Sequence, residues 1–488
     1  MRLLESMTDA AAEIRWVLLA WAARLGSGFQ SGTKDDLALA LGVSKRHLGV
    51  ALEYLEREGY LWKIKRAIVL PPGKKRKVGF DFCLSPEALR MWHAWDSSEV
   101  IWKDEINHVL LSSTPIASFR TSAAITTQMR LVWIALLMSS DKTGYVVGIE
   151  DSFFSKVLGM TEAQIRRTVR ALELVGVVSV VAAQIARTTL FGPMPPVYKV
   201  HPQSSQWKII RVGITRNDME FEPIRLLRKL ISYDQLATVR MRSKNGKLPI
   251  QDSYLSEDQY FRLSKHFRNK KLKALVQQTC LAIVFSHASN ILATRLSGTS
   301  QLHSGLNSLS ESNKGALTVV DQPANYQDRD LFNRVSFELS NSLSCGDVVS
   351  FEKVGVEGGD LNNKMENEIF RSFIIKELTI DIVDLIQQLS KELQVFVDSF
   401  GDKLRVLSYQ KHQAIGVSLP VQEASLKQSQ DTGSNEKAYK MLASHVLEVI
   451  VPNEEKYTDC LIYAGELYMA NSRVKHPKVR QVDNLVLL

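Results

Sequence analysis

The residues best placed to do chemistry in this chain are cations. Ser44, Lys45, Arg46 and His47 follow directly on Gly42 and Val43, and Gly49 lies two positions further on. A serine at that point caps a helix, so Lys45, Arg46 and His47 ride on the exposed first turn behind it. A helix start of this kind attracts phosphate through its N–H groups and dipole, while its side chains reach base edges. A second cluster, Lys74, Lys75, Arg76 and Lys77, follows Pro71, Pro72 and Gly73, and Lys63 and Lys65 alternate along the stretch before it. The motifs of other chemistries are missing. There is no GxxxxGK[ST], GxGxxG, HExxH or CxxC and no paired-histidine nuclease motif, so no enzyme, cofactor or metal is expected. The lone histidines His93 and His108 sit among apolar neighbours and read as packed helix residues rather than ligands.

The elements that position these cations are legible in the apolar spacing. Residues 9–25 form an amphipathic helix with Trp16 and Trp21 as core. Leu37, Ala38 and Leu41 line a short helix, Gly42 supplies a sharp turn, and Val43 plugs it. Leu48, Ala51, Leu52 and Leu55 then recur at helical spacing, which leaves Lys45, Arg46, His47 and Gly49 outward. After Gly59 the chain alternates as a strand, turns at PPGKKRK and returns as VGFDFCL. This order, over roughly residues 10–85, resembles the winged helix-turn-helix superfamily of bacterial DNA-binding domains. The resemblance implies that the second helix enters the major groove and the hairpin wing lies along the backbone or in the minor groove. By position the matching residues are Lys45, Arg46 and His47 on the helix and Lys74, Lys75, Arg76 and Lys77 on the wing. A winged helix used only for protein contacts is the competing reading.

The opening architecture recurs. Residues 127–140 read as a helix, DKTGYVV as a turn into a short strand, and 150–159 as the first helix of a pair. MTEAQIRRTVRALELVG then matches GVSKRHLGVALEYLEREG, with Thr161 as cap and Ile165, Val169 and Leu172 as the buried stripe. Its outward positions are Glu162, Gln164, Arg166, Arg167 and Arg170; Glu162 would repel phosphate, and the following hairpin is apolar with Arg187 near its tip. Residues 120–203 thus resemble a second winged helix, serving either DNA contact or packing and dimerisation.

Size and charge set the frame. At 488 residues the chain suits about three domains, and 45% hydrophobic residues suffice for their cores. Residues 1–300 carry 42 Lys and Arg against 26 Asp and Glu, whereas residues 301–488 carry the remaining 19 of 61 against 26 of 52. The basic part therefore coincides with the helix-turn-helix, as expected of a protein on a polyanion. Four scattered cysteines, no leader pattern and no long apolar run point to a cytoplasmic, nucleoid-associated protein without a membrane span.

The expected fold is mainly α with small β-hairpin wings (α+β). The expected domains are a first winged helix with connecting helices (1–112), a second (113–212), a basic helical region (213–297), a Ser/Gly/Asn-rich flexible linker (298–327), and a helical C-terminal region (328–488). In the basic region 256–296 opens on a Ser-Glu-Asp-Gln cap signal, and RMRSKNGKLP (240–249) reads as a basic loop. In the C-terminal region 367–404 is a long amphipathic helix whose stripe runs through Ile369, Phe373, Leu378, Ile382, Leu385 and Leu389. That stripe needs a partner helix, from the same chain, a homodimer or a partner protein. AYKMLASHVLEVIV reads as a last helix, and the tail from Ser472 as basic and then apolar. The expected function is sequence-specific binding of double-stranded DNA, as a bacterial or mobile-element transcription regulator. A plasmid-type replication initiator and a winged-helix adaptor of a chromosome-organising or defence complex are the alternatives.

Overall fold

The computed structural model of the chain describes residues 2–7, 9–68, 77–96, 101–111, 125–201, 207–214, 226–227, 229–230, 255–309, 324–343, 361–400, 405–411, 418–419, 439–440, 445–452 and 461–464. The fold is mainly helical with small, mostly antiparallel sheets. Among the described residues no helix is long and apolar enough to cross a membrane. The chain divides into two compact units, residues 1–187 with 192–204, and residues 188–191 with 205–488.

In the first unit α1 (Arg2–Glu5) and α2 (Ala12–Arg24) lead into β1 (Gln30–Ser31), α3 (Lys34–Leu41), α4 (Lys45–Arg57), β2 (Leu61–Ile68) and β3 (Lys77–Leu84). Each boundary has a local cause. Thr33 and Asp36 form a reciprocal box: Thr33 Oγ1 accepts from Asp36 N at 3.2 Å, and Asp36 Oδ2 accepts from Thr33 N at 3.0 Å. Gly42 ends α3 in the left-handed region at φ 67°, where the Val43 N–H bonds back to Ala38 O at 3.0 Å. Ser44 then caps α4, its Oγ accepting from His47 N at 3.2 Å. The expected apolar stripe of α4 (Leu48, Ala51, Leu52, Leu55) is buried.

After α5 (Pro86–Asp96) and α6 (Lys103–Leu111) the same order returns. It comprises α7 (Thr127–Ser139), β4 (Tyr145–Val146), α8 (Asp151–Leu158), α9 (Glu162–Val175) and β5 (Val178–Ala182). A ribbon of β6 (Ile185–Thr188) and β7 (Gly192–Met194) precedes β8 (Val197–Val200). The two sheets share a topology, β1-β3-β2 and β4-β8-β5, with the short first strand antiparallel to the last. Gly159 repeats the role of Gly42 at φ 62°, and Thr161 repeats Ser44 with a full box to Gln164.

The halves meet through their first helices. Gln128 Nε2 on α7 donates to Glu13 Oε1 on α2 at 3.0 Å, and these residues occupy matching places in EIRWV and QMRLV. Arg15 is fully buried, donating from Nε to Ala10 O at 2.9 Å and from Nη1 to Val157 O at 2.6 Å, as well as to Leu4 O and Met7 O. One guanidinium therefore joins the N-terminal turns to the end of α8. A Cβ on Gly159 would lie 2.0 Å from Ala10 O, so this junction admits only glycine. Trp16 and Trp21 are core as expected, at 1% and 0% exposure. His93 and His108, expected as packed residues, are both exposed, because α5 and α6 turn their Ala88 and Val109–Leu110 faces inward instead. No metal-binding group occurs among the described residues.

The second unit contains β9 (Trp207–Ile214), α10 (Glu257–His266), α11 (Lys270–Leu309), α12 (Ala324–Leu343), α13 (Leu361–Phe400) and the strands β10 (Arg405–Lys411), β11 (Ser418–Leu419), β12 (Tyr439–Lys440), β13 (His445–Pro452) and β14 (Leu461–Ala464). Ser256 and Gln259 form the expected cap box of α10, but the helix breaks at Phe267 and restarts as α11. The expected stripe of α13 is buried at Phe373, Leu378, Ile382, Leu385 and Leu389, against α11 and α12 of the same chain; Ile369 is 42% exposed and leaves it.

Two expectations are corrected here. The linker expected over 298–327 is helical up to Leu309 and again from Ala324, with 310–323 outside the described residues. No proline falls between Lys270 and Gln322, so a polar composition alone does not stop a helix begun on an apolar segment. The C-terminal region is also not wholly helical: the last expected helix is β12 and β13. HVLEVIV is rich in β-branched residues and pairs over its whole length with β9, from His445 against Ile214 to Pro452 against Trp207.

Candidate nucleic-acid interface

The cations of the first half gather around the start of α4. Lys45, Arg46 and His47 are all exposed. They differ in freedom. Lys45 Nζ is paired with Asp35 Oδ2 at 2.7 Å, whereas no carboxylate among the described residues pairs with Arg46. Ser44 is occupied by capping, so its hydroxyl positions the helix. Gly49 is half-buried beneath α3, and among the described residues of other elements the atom nearest its bare face is Lys34 Nζ, 3.9 Å from where a Cβ would stand. Because the Leu48–Ala51–Leu52–Leu55 stripe faces inward, helical spacing puts Arg46, Val50, Glu53 and Arg57 on the opposite face. Val50 is 55% exposed there.

The hairpin beside α4 is divided by its pleat. Lys63 lies opposite Phe82 and Lys65 opposite Phe80, so both lysines share a face with these rings. Lys63 Nζ pairs with Glu56 Oε2 of α4 at 3.0 Å and stands 4.7 Å from the Phe80 ring centre. Lys65 is exposed without an ion pair among the described residues. The other face carries Trp62, Ile64 and Arg66, the last 3.5 Å from Asp81. Lys74, Lys75 and Arg76 lie outside the described residues, and Lys77 opens β3 opposite Ile68, its side chain likewise undescribed.

In the second half the outward residues of the matching helix divide, and of its three outward arginines one is paired. Gln164 spends its Oε1 on the Thr161 N–H at 2.8 Å, so it serves the cap. Arg166 is clamped, Nη2 to Glu162 Oε2 at 3.1 Å and Nε at 3.6 Å from Asp151 Oδ2. Asp151 is 2% exposed, and its other oxygen accepts from Tyr198 OH at 3.0 Å. Burial raises the Asp151 carboxyl above its usual range, against the opposing pull of Tyr198 and Arg166. Arg167 and Arg170 remain exposed without an ion pair among the described residues.

Lys34, Asp35, Val50 and Asp151 escaped the sequence reading. The signal for Asp35 was present in the TKDD cap, which puts acidic residues on the first turn of α3, but its reach to Lys45 depends on how the helices cross. In the second unit Arg262 is held by Asp258 and Glu366, at 2.7 and 3.1 Å, and Lys265 lies 4.2 Å from the Phe261 ring centre, so these cations belong to the helical surface. The 240–249 loop lies outside the described residues. A scan against protein-family models finds no family that matches the chain, and a search of curated proteins finds no relative.

Proposed function

We propose that the chain is a sequence-specific double-stranded DNA-binding protein whose first unit carries two winged helix-turn-helix domains, and that it acts as a transcription regulator. The observation that carries this reading is the start of α4: Arg46 and His47 exposed on a capped first turn, with Arg46 free of carboxylates among the described residues. Arg46 presents a planar fork that fits guanine O6 and N7, and His47 offers a second polar contact one position on. Lys65 and the 74–77 cluster carry phosphate contacts from the hairpin, while Arg167 and Arg170 carry them from α9. The clamped Arg166 contributes less. The fusion of both halves through α2 and α7 also favours a second reading, a replication initiator that spans consecutive groove segments of an origin repeat, since both helix pairs then move as one unit.

A shift assay with the upstream region of the chain's own gene tests the proposal. Joint replacement of Lys45 and Arg46 by Ala should erase preference for a specific duplex over bulk DNA. Neutralising residues 74–77 should weaken all duplexes alike and flatten the dependence on salt. Parent-like binding by both variants at low salt would overturn the reading.

A further inference from the structure

Gly49 is poorly suited to its place as far as the fold is concerned. It lies in the body of α4, where glycine is among the least favourable residues. No turn or left-handed angle requires it, since its φ is not positive. Nor does packing: the nearest neighbour of an added Cβ is the flexible end of Lys34 at 3.9 Å, an ordinary contact. The matching position in α9 is Arg166, whose side chain fills the same crossing and pairs with Asp151, the counterpart of Lys34. The first half leaves open what the second half closes. Next to the bare glycine stands Val50, an apolar side chain 55% exposed on a face otherwise lined by Arg46, Glu53 and Arg57.

We infer that Gly49 and Val50 form a contact strip for the major-groove edge of an A·T pair: Gly49 lets the helix backbone approach, and the Val50 methyls meet the thymine 5-methyl group. This rests on the DNA-binding reading above and names the base that the site takes. The surroundings fit that occupant. Lys34 lies beside the strip and supplies positive charge toward phosphate, and Arg46 stands one turn earlier on the outward face, where its fork suits guanine acceptors. A methyl contact in a groove needs closeness more than charge, which is what a missing side chain provides.

The test uses the full chain and a duplex selected from a random 20-bp library. Each thymine of that duplex is then replaced in turn by deoxyuridine, which removes only the 5-methyl group. At one or two positions the parent should lose about fourfold in affinity, the equivalent of about 0.8 kcal/mol for one buried carbon. Val50→Ala should bind about as weakly and no longer distinguish thymine from deoxyuridine. Gly49→Ala should melt at a higher temperature than the parent yet bind the duplex at least about tenfold more weakly. If the selected duplex binds unchanged with every thymine replaced, or if Gly49→Ala binds like the parent, this inference falls while the DNA-binding reading stands. If the parent selects no duplex at all, both fall together.

Discussion

Where α3 crosses α4, Lys34 hangs above a bare Gly49; where α8 crosses α9, Arg166 fills the matching position, 3.1 Å from Glu162 and 3.6 Å from the buried Asp151. Both halves share element order, sheet order and left-handed glycine caps at Gly42 and Gly159. They differ in what their outward turns do with charge. The first half keeps Arg46 available and lets Lys45 bond to an exposed Asp35, a pair at 61% and 66% exposure that water screens. The second half ties its arginine to a carboxylate that is itself buried. A common scaffold thus carries an open Arg46 in one half and a closed Arg166 in the other.

The largest expected effect attacks the junction that makes the halves one unit. Arg15→Met strips the donors from buried carbonyls at Ala10, Leu4, Met7 and Val157 and should cost roughly 3–5 kcal/mol in denaturant unfolding. An Arg15→Met protein of parent stability would show that the halves stand independently. Next come the two cap glycines. Gly42→Ala places a Cβ in the left-handed region with Arg24 Nη1 at an ordinary 3.6 Å and should cost about 1–2 kcal/mol. Gly159→Ala adds the collision with Ala10 O and should cost about 1–3 kcal/mol more. Equal melting points for the two variants would break the claim that only the second cap is built into the junction.

Binding comes next in size. Arg46→Ala should lose about 1–3 kcal/mol on a selected duplex, and Arg167→Ala should lower the salt slope by about 1 without changing preference. If Arg166→Ala were as damaging to binding as Arg46→Ala, the open and closed assignments would have to be exchanged. A smaller effect is expected from pH. Because burial raises the Asp151 carboxyl, the folded chain holds that proton more tightly than the unfolded chain. Its contribution is therefore fully present below the ordinary carboxylate value and declines as pH rises through the raised one. Asp151→Asn should flatten that decline in melting temperatures recorded from about pH 4 upward. The smallest change belongs to Asp35→Asn, which releases Lys45 and should strengthen DNA binding by about 0.2–1 kcal/mol at low salt.

The sequence alone determined much of the first unit. The caps at Ser44, Thr161 and Ser256, the turn at Gly42, and the buried stripes of α4 and α9 were all legible, because each depends on residues within four positions of one another. The exposure of Lys45, Arg46 and His47 followed from the same periodicity. Tertiary structure decided what needs partners far away in sequence. It set Lys45 on Asp35, Arg166 on Asp151, Arg15 on Val157 and β13 along β9. Charge spacing shows how many cations face outward, but a long side chain selects its partner only once two helices cross. That is why Arg46 and Arg166 read alike in the sequence and stand in opposite roles in the fold, and why a β-branched C-terminal segment became a strand only when β9 offered it an edge.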